Sequence, residues 1–182
     1  MSTKRSDFNK IRSMFEAYNS INEGLVGVKL NGKWGYVDET GKEIVPIKYD
    51  LAGCFCEGLG CVKLNGKWGF VDKTGKMIIP IKYDSTGLIF CNGLVNVELN
   101  GKKGFIDKTG KEVVPVKYDV AYFFSEELVC VKLNGKYGFV DKTGKEVIPL
   151  IYDKVEESRK GLAKVELNGE KFYIDQTGER MK

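Results

Sequence analysis

The chain contains no histidine in 182 residues. That removes the side chain that most often serves as a general base near neutral pH and as a metal ligand. No stretch approaches the ~20 apolar residues a membrane helix needs, so no membrane insertion is expected. No GxGxxG or GxxxxGK(S/T) pattern stands ahead of a helix, which leaves nucleotide binding without support. The 22 glycines serve turns instead. Cysteines are few and odd in number: Cys54, Cys56, Cys61, Cys91 and Cys130. The C-x-C-x4-C spacing of the first three is not a zinc pattern, and no second CxxC completes it. They read as reduced, small apolar fillers, and neither cofactor nor metal is expected. The opening MSTKRSDFNK has basic residues with no apolar run behind it, so the expected compartment is the cytoplasm.

What the sequence does have is a repeat. Leu30 to Asp50, LNGKWGYVDETGKEIVPIKYD, returns at Asn65, Asn100, Asn134 and Asn168, at spacings of 34, 35, 34 and 34 residues. A fixed period in this range means one supersecondary unit copied in tandem, with each copy unable to bury its apolar face alone. Apolar content of 42% and charged content of 30% belong to a folded chain, and a net charge of +4 arises from interleaved cations and anions.

Each copy opens on a β-run (GLVGVKL, GLGCVKL, GLVNVEL, ELVCVKL, GLAKVEL) followed by Asn-Gly. Two apolar β-runs joined by Asn-Gly form the strongest short-range hairpin signal, because a type I′ turn needs φ > 0 at both central residues. A two-residue turn sets the register: Leu30 opposite Lys33, Lys29 opposite Trp34, Val26 opposite Val37. The copies test it. The facing pairs are Lys29/Trp34, Lys63/Trp68, Glu98/Lys103, Lys132/Tyr137 and Glu166/Lys171. Where the aromatic becomes lysine, the facing lysine becomes glutamate, so a cation–π pair is exchanged for an ion pair and Lys never faces Lys. Val26, Val28, Leu30 and Val37 are expected on the packed face. Position 36 is aromatic in all copies (Tyr36, Phe70, Phe105, Phe139, Tyr173), which points to packing against a neighbouring repeat.

A second turn ends at Gly41, Gly75, Gly110, Gly144 and Gly178, with Asp38, Asp72, Asp107, Asp141 and Asp175 as turn caps. Five equivalent carboxylates do not make the single asymmetric constellation of an active site. The third run carries proline at 46, 80, 115 or 149, which confines it to a sheet edge. Tyr-Asp and a variable connector follow. Ahead of the array, Phe8, Ile11, Phe15 and Tyr18 share a face at helical spacing after Ser6 or Asp7, so residues 1–20 are expected to form an amphipathic helical cap. At the other end Lys171 and Phe172 replace the Trp-Gly pair and no proline follows, which reads as a closing cap.

NGKWGYVDETGKEIVP and NGKWGFVDKTGKMIIP resemble the WG-repeat (KWG-repeat) family of bacterial proteins over roughly residues 24–180. The resemblance implies tandem β-rich repeats of this length acting as interaction modules. Lys103, Tyr137, Lys171 and Phe172 depart from its Trp-Gly pattern.

The expected fold is all-β: one domain of five three-stranded meanders (approximately 24–57, 58–92, 93–126, 127–160 and 161–182, within 21–182). An open superhelical array is preferred to a closed five-bladed ring, since thirty-four residues is short for a four-stranded blade. The expected function is a non-enzymatic scaffold for a protein or peptide partner, with the monomer as default. The alternative is a carbohydrate or cell-wall module using an aromatic row of Trp34, Trp68 and Tyr137. Lysine rows at 33, 67, 102 and 136 make an anionic polymer conceivable, but edge strands carry lysine to prevent aggregation and acidic neighbours abound. Specific contacts are expected in the connectors Leu51–Phe55, Ser85–Phe90, Val120–Phe124 and Lys154–Lys160. Glu126, Glu127, Glu156, Glu157, Arg159 and Lys160 break the repeat pattern and are candidates.

Overall fold

The computed structural model describes residues 13–122, 128–159 and 161–181, with the backbone alone for Glu157, Ser158 and Arg159. Five antiparallel sheets follow one another in chain order. The first holds β1 (Ala17–Tyr18), β2 (Leu25–Leu30), β3 (Lys33–Asp38) and β4 (Glu43–Tyr49). The second holds β5 (Leu51–Cys56), β6 (Leu59–Leu64), β7 (Lys67–Asp72) and β8 (Met77–Tyr83). The third copy supplies β9 (Ser85–Thr86), β10 (Leu94–Leu99), β11 (Lys102–Asp107) and β12 (Glu112–Tyr118). The fourth has β13 (Val120–Ala121), β14 (Leu128–Leu133), β15 (Lys136–Asp141) and β16 (Glu146–Tyr152). The last has β17 (Lys154–Arg159), β18 (Leu162–Leu167) and β19 (Glu170–Asp175). The chain divides into two compact units, residues 1–95 with 107–110 and residues 96–106 with 111–182, so the division falls inside the third copy.

The Asn-Gly hairpins form as their chemistry requires. Asn31 and Gly32 sit at φ 49° and 75°, and every later Asn-Gly repeats the geometry. The register pairs Lys29 with Trp34 and Val26 with Val37, Lys63 with Trp68, Lys132 with Tyr137 and Glu166 with Lys171. Lys63 Nζ stands 5.4 Å from the Trp68 ring centre and Lys132 Nζ 4.8 Å from that of Tyr137. Where lysine replaces the ring, Glu98 lies 4.0 Å from Lys103 and Glu166 3.9 Å from Lys171. Leu30 departs from the expected packed face. It closes the hairpin at the solvent end and is 37% exposed.

Each copy gains a strand that the repeat pattern does not announce. The connector leaves the proline strand through a single aspartate and runs back along the first strand of the next copy, so Leu51 opposes Lys63 and Ala52 opposes Val62. A second tight turn then enters β2 and β6, with Glu23-Gly24 at φ 53° and 84° and Glu57-Gly58 at 52° and 87°. A two-residue turn with both φ positive is the same hairpin solution as Asn-Gly, here with glutamate in the left-handed position.

Residues 15–20 correct the C-terminal part of the expected N-terminal helix. Its first half lies outside the described residues, and only Ser13 and Met14 are helical. Tyr18 belongs to β1, where it opposes Val28. The apolar face survives without the helix: Phe15 and Tyr18, with Ile47, pack on the buried Val26, Val28 and Val37. Glu16 takes the position that Asp50 holds one period later, its N–H donating to Lys29 O as that of Asp50 donates to Lys63 O. Residues 16–18 therefore pair with β2 as the connector of a later copy pairs with its first strand.

The glycine of the Trp-Gly pair has a steric cause. Between Trp34↔Tyr49 and Tyr36↔Val45 the proline strand bulges over Gly35. A Cβ there would stand 2.6 Å from Val45 O and 2.7 Å from Ile47 Cα, and Gly69, Gly104 and Gly138 meet the same obstacle at 2.5 to 2.6 Å. Such backbone contacts cannot yield without moving the strand. Phe172 is tolerated in the last copy because no proline strand crosses it; its ring instead packs edge-on to Tyr152 at 6.3 Å.

Adjacent copies share their cores. In the first unit Tyr36, Val45 and Tyr49 of one copy share a core with Phe55, Val62 and Val71 of the next. The position-36 ring meets the next connector's ring edge-on, Tyr36 on Phe55 at 4.8 Å and Phe70 on Phe90 at 5.0 Å. In the second unit Phe139, Ile148 and Tyr152 pack with Ala163, Val165 and Ile174, and Phe105, Val114 and Tyr118 with Val129, Val131 and Val140.

Candidate functional site

Most of the repeating polar groups are spent on holding the chain together. The turn aspartates cap their own loops: Asp38 Oδ1 accepts from the Thr40 N–H at 2.8 Å, the Thr40 hydroxyl at 2.6 Å and the Lys42 N–H at 3.0 Å. Asp72, Asp141 and Asp175 do the same, and these hydrogen bonds, that of the threonine hydroxyl first, hold all four carboxyls below the usual range. The aspartate after each tyrosine is a staple. Asp50 pairs with Lys33 at 2.7 Å and its other oxygen accepts the Asn65 N–H of the next copy at 2.7 Å. Asp119 binds Lys102 and the Asn134 N–H, and Asp153 binds Lys136 and the Asn168 N–H. Lys67 pairs with Asp84. The lysine row at 33, 67, 102 and 136 is thus paired with a carboxylate position by position.

The connector side of the first unit is different. A cavity of about 650 Å³, open to solvent, is lined by Asn19, the β5 segment Leu51–Cys54, Trp68, Leu88 and Ile89. Leu88 and Ile89 are 60% and 53% exposed, and Leu51 is exposed as well. The floor comes from a bulge: Ala52 opposes Val62 and Phe55 opposes Gly60, so Gly53 and Cys54 together face Cys61. Such a bulge re-aims side chains and frees an edge. Gly53 is required there, since a Cβ would meet Cys61 Sγ at 2.3 Å. The bulge is pinned from three sides. Tyr36 donates its hydroxyl to Gly53 O at 2.8 Å and to Cys61 O at 2.9 Å, and Asn19 Nδ2 donates to Ala52 O at 3.0 Å. Burial pushes the Cys61 thiol up to about 11 and the Cys130 thiol up to about 12, so both are neutral packing groups at pH 7. All five cysteines are free thiols, Cys91 the exposed one. Among the described residues no group of three or more metal-ligating side chains forms, and no helix is long and apolar enough to cross a membrane.

The bulge position and its partner change together from copy to copy. Asn19 lies over Gly27, where a Cβ would touch Asn19 Nδ2 at 2.8 Å, and Gly53 lies under Cys61. In the last copy Glu156 pairs with Lys164 at 2.8 Å. The face that carries the cavity therefore holds the copy-specific chemistry, while the constant residues sit at the turns.

Of the aromatic row, only Trp68 lines the cavity. Trp34 is half-buried opposite Tyr49, and Tyr137 is hydrogen-bonded to Tyr122 in the second unit. Glu156 is held by Lys164 and Lys171, and these two lysines hold its carboxyl down at about 2. Glu157 and Arg159 lie on β17, their backbones opposite Lys164 and Leu162. Glu126, Glu127 and Lys160 lie outside the described residues. Leu51–Cys54, Leu88 and Ile89 fall inside two of the expected connectors. Asn19 was not legible in sequence, because it falls in the stretch expected to be helical.

Among solved structures the chain is similar to Hsv2p of Kluyveromyces lactis, at 12% identity and a TM-score of 0.46, over 88% of this chain and 61% of that one. It is also similar to the extracellular domain of the putative hybrid two-component system BT4673 from B. thetaiotaomicron, at 14% identity and a TM-score of 0.40, over 91% of this chain and 28% of that one. A dihydro-heme d1 dehydrogenase, NirN, matches at 11% identity and a TM-score of 0.39, over 86% of this chain and 44% of that one. The chain thus spans less than two thirds of the length of each of these. No curated protein matches it. The model of the WG containing repeat matches five times, over residues 11–34, 34–68, 68–102, 104–137 and 137–170, the last four starting at or next to the Trp position. The chain belongs to the WG containing repeat family.

Proposed function

We propose that the protein is a non-enzymatic repeat scaffold whose groove between the connectors Leu51–Phe55 and Ser85–Phe90 binds a protein segment through apolar side chains. One observation carries this reading: Leu88 and Ile89 stand more than half exposed beside Trp68 and Leu51, around an open cavity. Clustered exposed apolar side chains on a soluble surface mark interaction sites. Covering Leu88 and Ile89 contributes roughly 1–2 kcal/mol each.

The chemistry of the lining favours a peptide over a sugar. Beyond the Trp68 indole N–H and the Cys54 thiol, its lining offers the polar side chain of Asn19, whose Nδ2 is committed to Ala52 O. A glycan needs several unsatisfied donors and acceptors beside its aromatic platform. Strand addition along β5 is also disfavoured, because the carbonyls of residues 52 and 53 already accept from Asn19 and Tyr36. Side-chain insertion is the mode that remains. Lys63 over the Trp68 ring places a cation at the rim, so a segment with apolar residues next to a carboxylate suits the site.

The test is a peptide-display selection on the whole protein, counter-selected on a Leu88→Asp/Ile89→Asp double variant. Enrichment of apolar, acid-flanked peptides that lose at least tenfold in affinity on the variant supports the reading. Peptides that bind both proteins equally would overturn it.

A further inference from the structure

The fourth copy of the repeat fills the place that the second copy leaves open, and it fills it with a tyrosine ring. The two places share one frame. In the second copy Leu51 opposes Lys63 and Ala52 opposes Val62. In the fourth Val120 opposes Lys132 and Ala121 opposes Val131. The next residue is Gly53 in one and Tyr122 in the other. Each faces a cysteine: Gly53 lies under Cys61, and the Tyr122 N–H donates to Cys130 O at 2.9 Å. The aromatic of the Lys-aromatic pair also corresponds. Lys63 Nζ stands 5.4 Å from the Trp68 ring centre, and Lys132 Nζ 4.8 Å from that of Tyr137.

The side chain at the bulge makes the difference. Tyr122 reaches across to Tyr137, to which it is hydrogen-bonded. The first and fifth copies fill the position as well, with Asn19 over Gly27 and Glu156 on Lys164. Gly53 sends nothing across, and the open cavity lies where it stands, with Gly53 and Trp68 both in its lining. Building on the groove reading above, we infer that this cavity receives one tyrosine side chain of the bound segment, seated beside Trp68 as Tyr122 is seated beside Tyr137. The chain's own Tyr122 is the template for the occupant. A phenol suits the lining: its ring covers Leu88 and Ile89, both more than half exposed, and its hydroxyl oxygen can accept the indole N–H of Trp68. Tyrosine is also the kind of side chain that anchors segments in such pockets. Lys63 on the Trp68 ring adds attraction for a carboxylate next to that tyrosine.

The peptides recovered by the selection above decide this on the wild-type protein. Those that lose at least tenfold in affinity on the Leu88→Asp/Ile89→Asp protein should carry a tyrosine beside an acidic residue. Changing that tyrosine to leucine should lower affinity at least tenfold, and N-acetyl-tyrosinamide should displace the peptides at concentrations at least tenfold below N-acetyl-leucinamide. A ring supplied from within should block the site. Once Cys61→Ala removes the thiol, a Cβ on residue 53 meets nothing closer than 3.5 Å. Gly53→Tyr in that background should therefore bind the peptides at least tenfold more weakly than Cys61→Ala alone. The peptide measurements stand whether or not that variant folds. Groove-dependent peptides without tyrosine, or a loss of less than tenfold on the change to leucine, overturn the inference and leave the groove reading in place. Peptides that bind the Leu88→Asp/Ile89→Asp protein as tightly as the wild type overturn both.

Discussion

Replacing Gly69 by alanine tests why the family carries glycine after its tryptophan. The added methyl would stand 2.6 Å from Ile79 O, 2.8 Å from Ile81 N and 2.9 Å from Ile81 Cα. All three are backbone atoms of the proline strand, so no rotamer change relieves the contact and β8 itself must shift. Overpacking of this kind costs about 1–3 kcal/mol, and the three simultaneous backbone contacts argue for the upper half of that range. Alanine also restricts the unfolded chain, which returns about 0.4–1 kcal/mol. The net expectation is a loss of about 2 kcal/mol, or about 4–8 °C in melting temperature for a chain of this size. Gly66→Ala is the control: it is strained by its φ of 79° but meets nothing within 4 Å, so it should cost about 1 kcal/mol. Urea unfolding followed by far-UV circular dichroism reads both. A Gly69→Ala protein that melts within a degree of the wild type would refute the steric account of the Trp-Gly pair.

Three further outcomes follow from the same contacts. Tyr36→Phe keeps the ring on Phe55 and removes a buried hydroxyl from two carbonyls, so it should fold as copies two to four do at this position while losing about 0.5–1.5 kcal/mol in denaturant unfolding. The turn and staple aspartates, with Glu156 at about 2, have folded-state values below their unfolded ones, so their stabilisation is present above the ordinary carboxylate range and is lost as pH falls through the folded values. Melting temperature should then be level from neutrality down to about pH 5 and decline below about pH 4, and a decline starting near neutrality would contradict this. A thiol reagent at pH 8 should modify Cys91 first and leave Cys61 and Cys130 unmodified until denaturant is added, since burial keeps both protonated; equal rates at all five would show that the interior is open.

The hairpins were fully legible in sequence, because Asn-Gly admits one turn type and the exchange of Lys/Trp for Glu/Lys reports which residues face each other. The edge position of the proline strand was legible for the same kind of reason, a missing donor. The fourth strand was not. A single residue, Asp50, separates Tyr49 from Leu51, so no turn chemistry marks the corner, and β1, β9 and β13 are two residues long with no alternation to read. A signal did exist in Glu23-Gly24, Glu57-Gly58 and Asn92-Gly93 just before each first strand, but glutamate in a left-handed position is not what propensity suggests. Trp68 stood out by composition, and the connectors by their variation. Their convergence on one cavity depends on the Gly53–Cys54 bulge, a register slip that arises from the packing of Tyr36 and Cys61 and leaves no pattern of its own. Glu156 broke the repeat for a reason internal to the fold, its cage of two lysines.

The most direct test of the account reads Trp68 itself. In a Trp34→Phe protein, Trp68 is the sole tryptophan, and titration with a selected apolar peptide should shift its emission to the blue and saturate with the affinity measured independently. In the complementary Trp68→Phe protein, the emission of Trp34 should stay unchanged on the same titration. A signal at Trp34, or none at Trp68 while the peptide binds, would place binding elsewhere and contradict the groove.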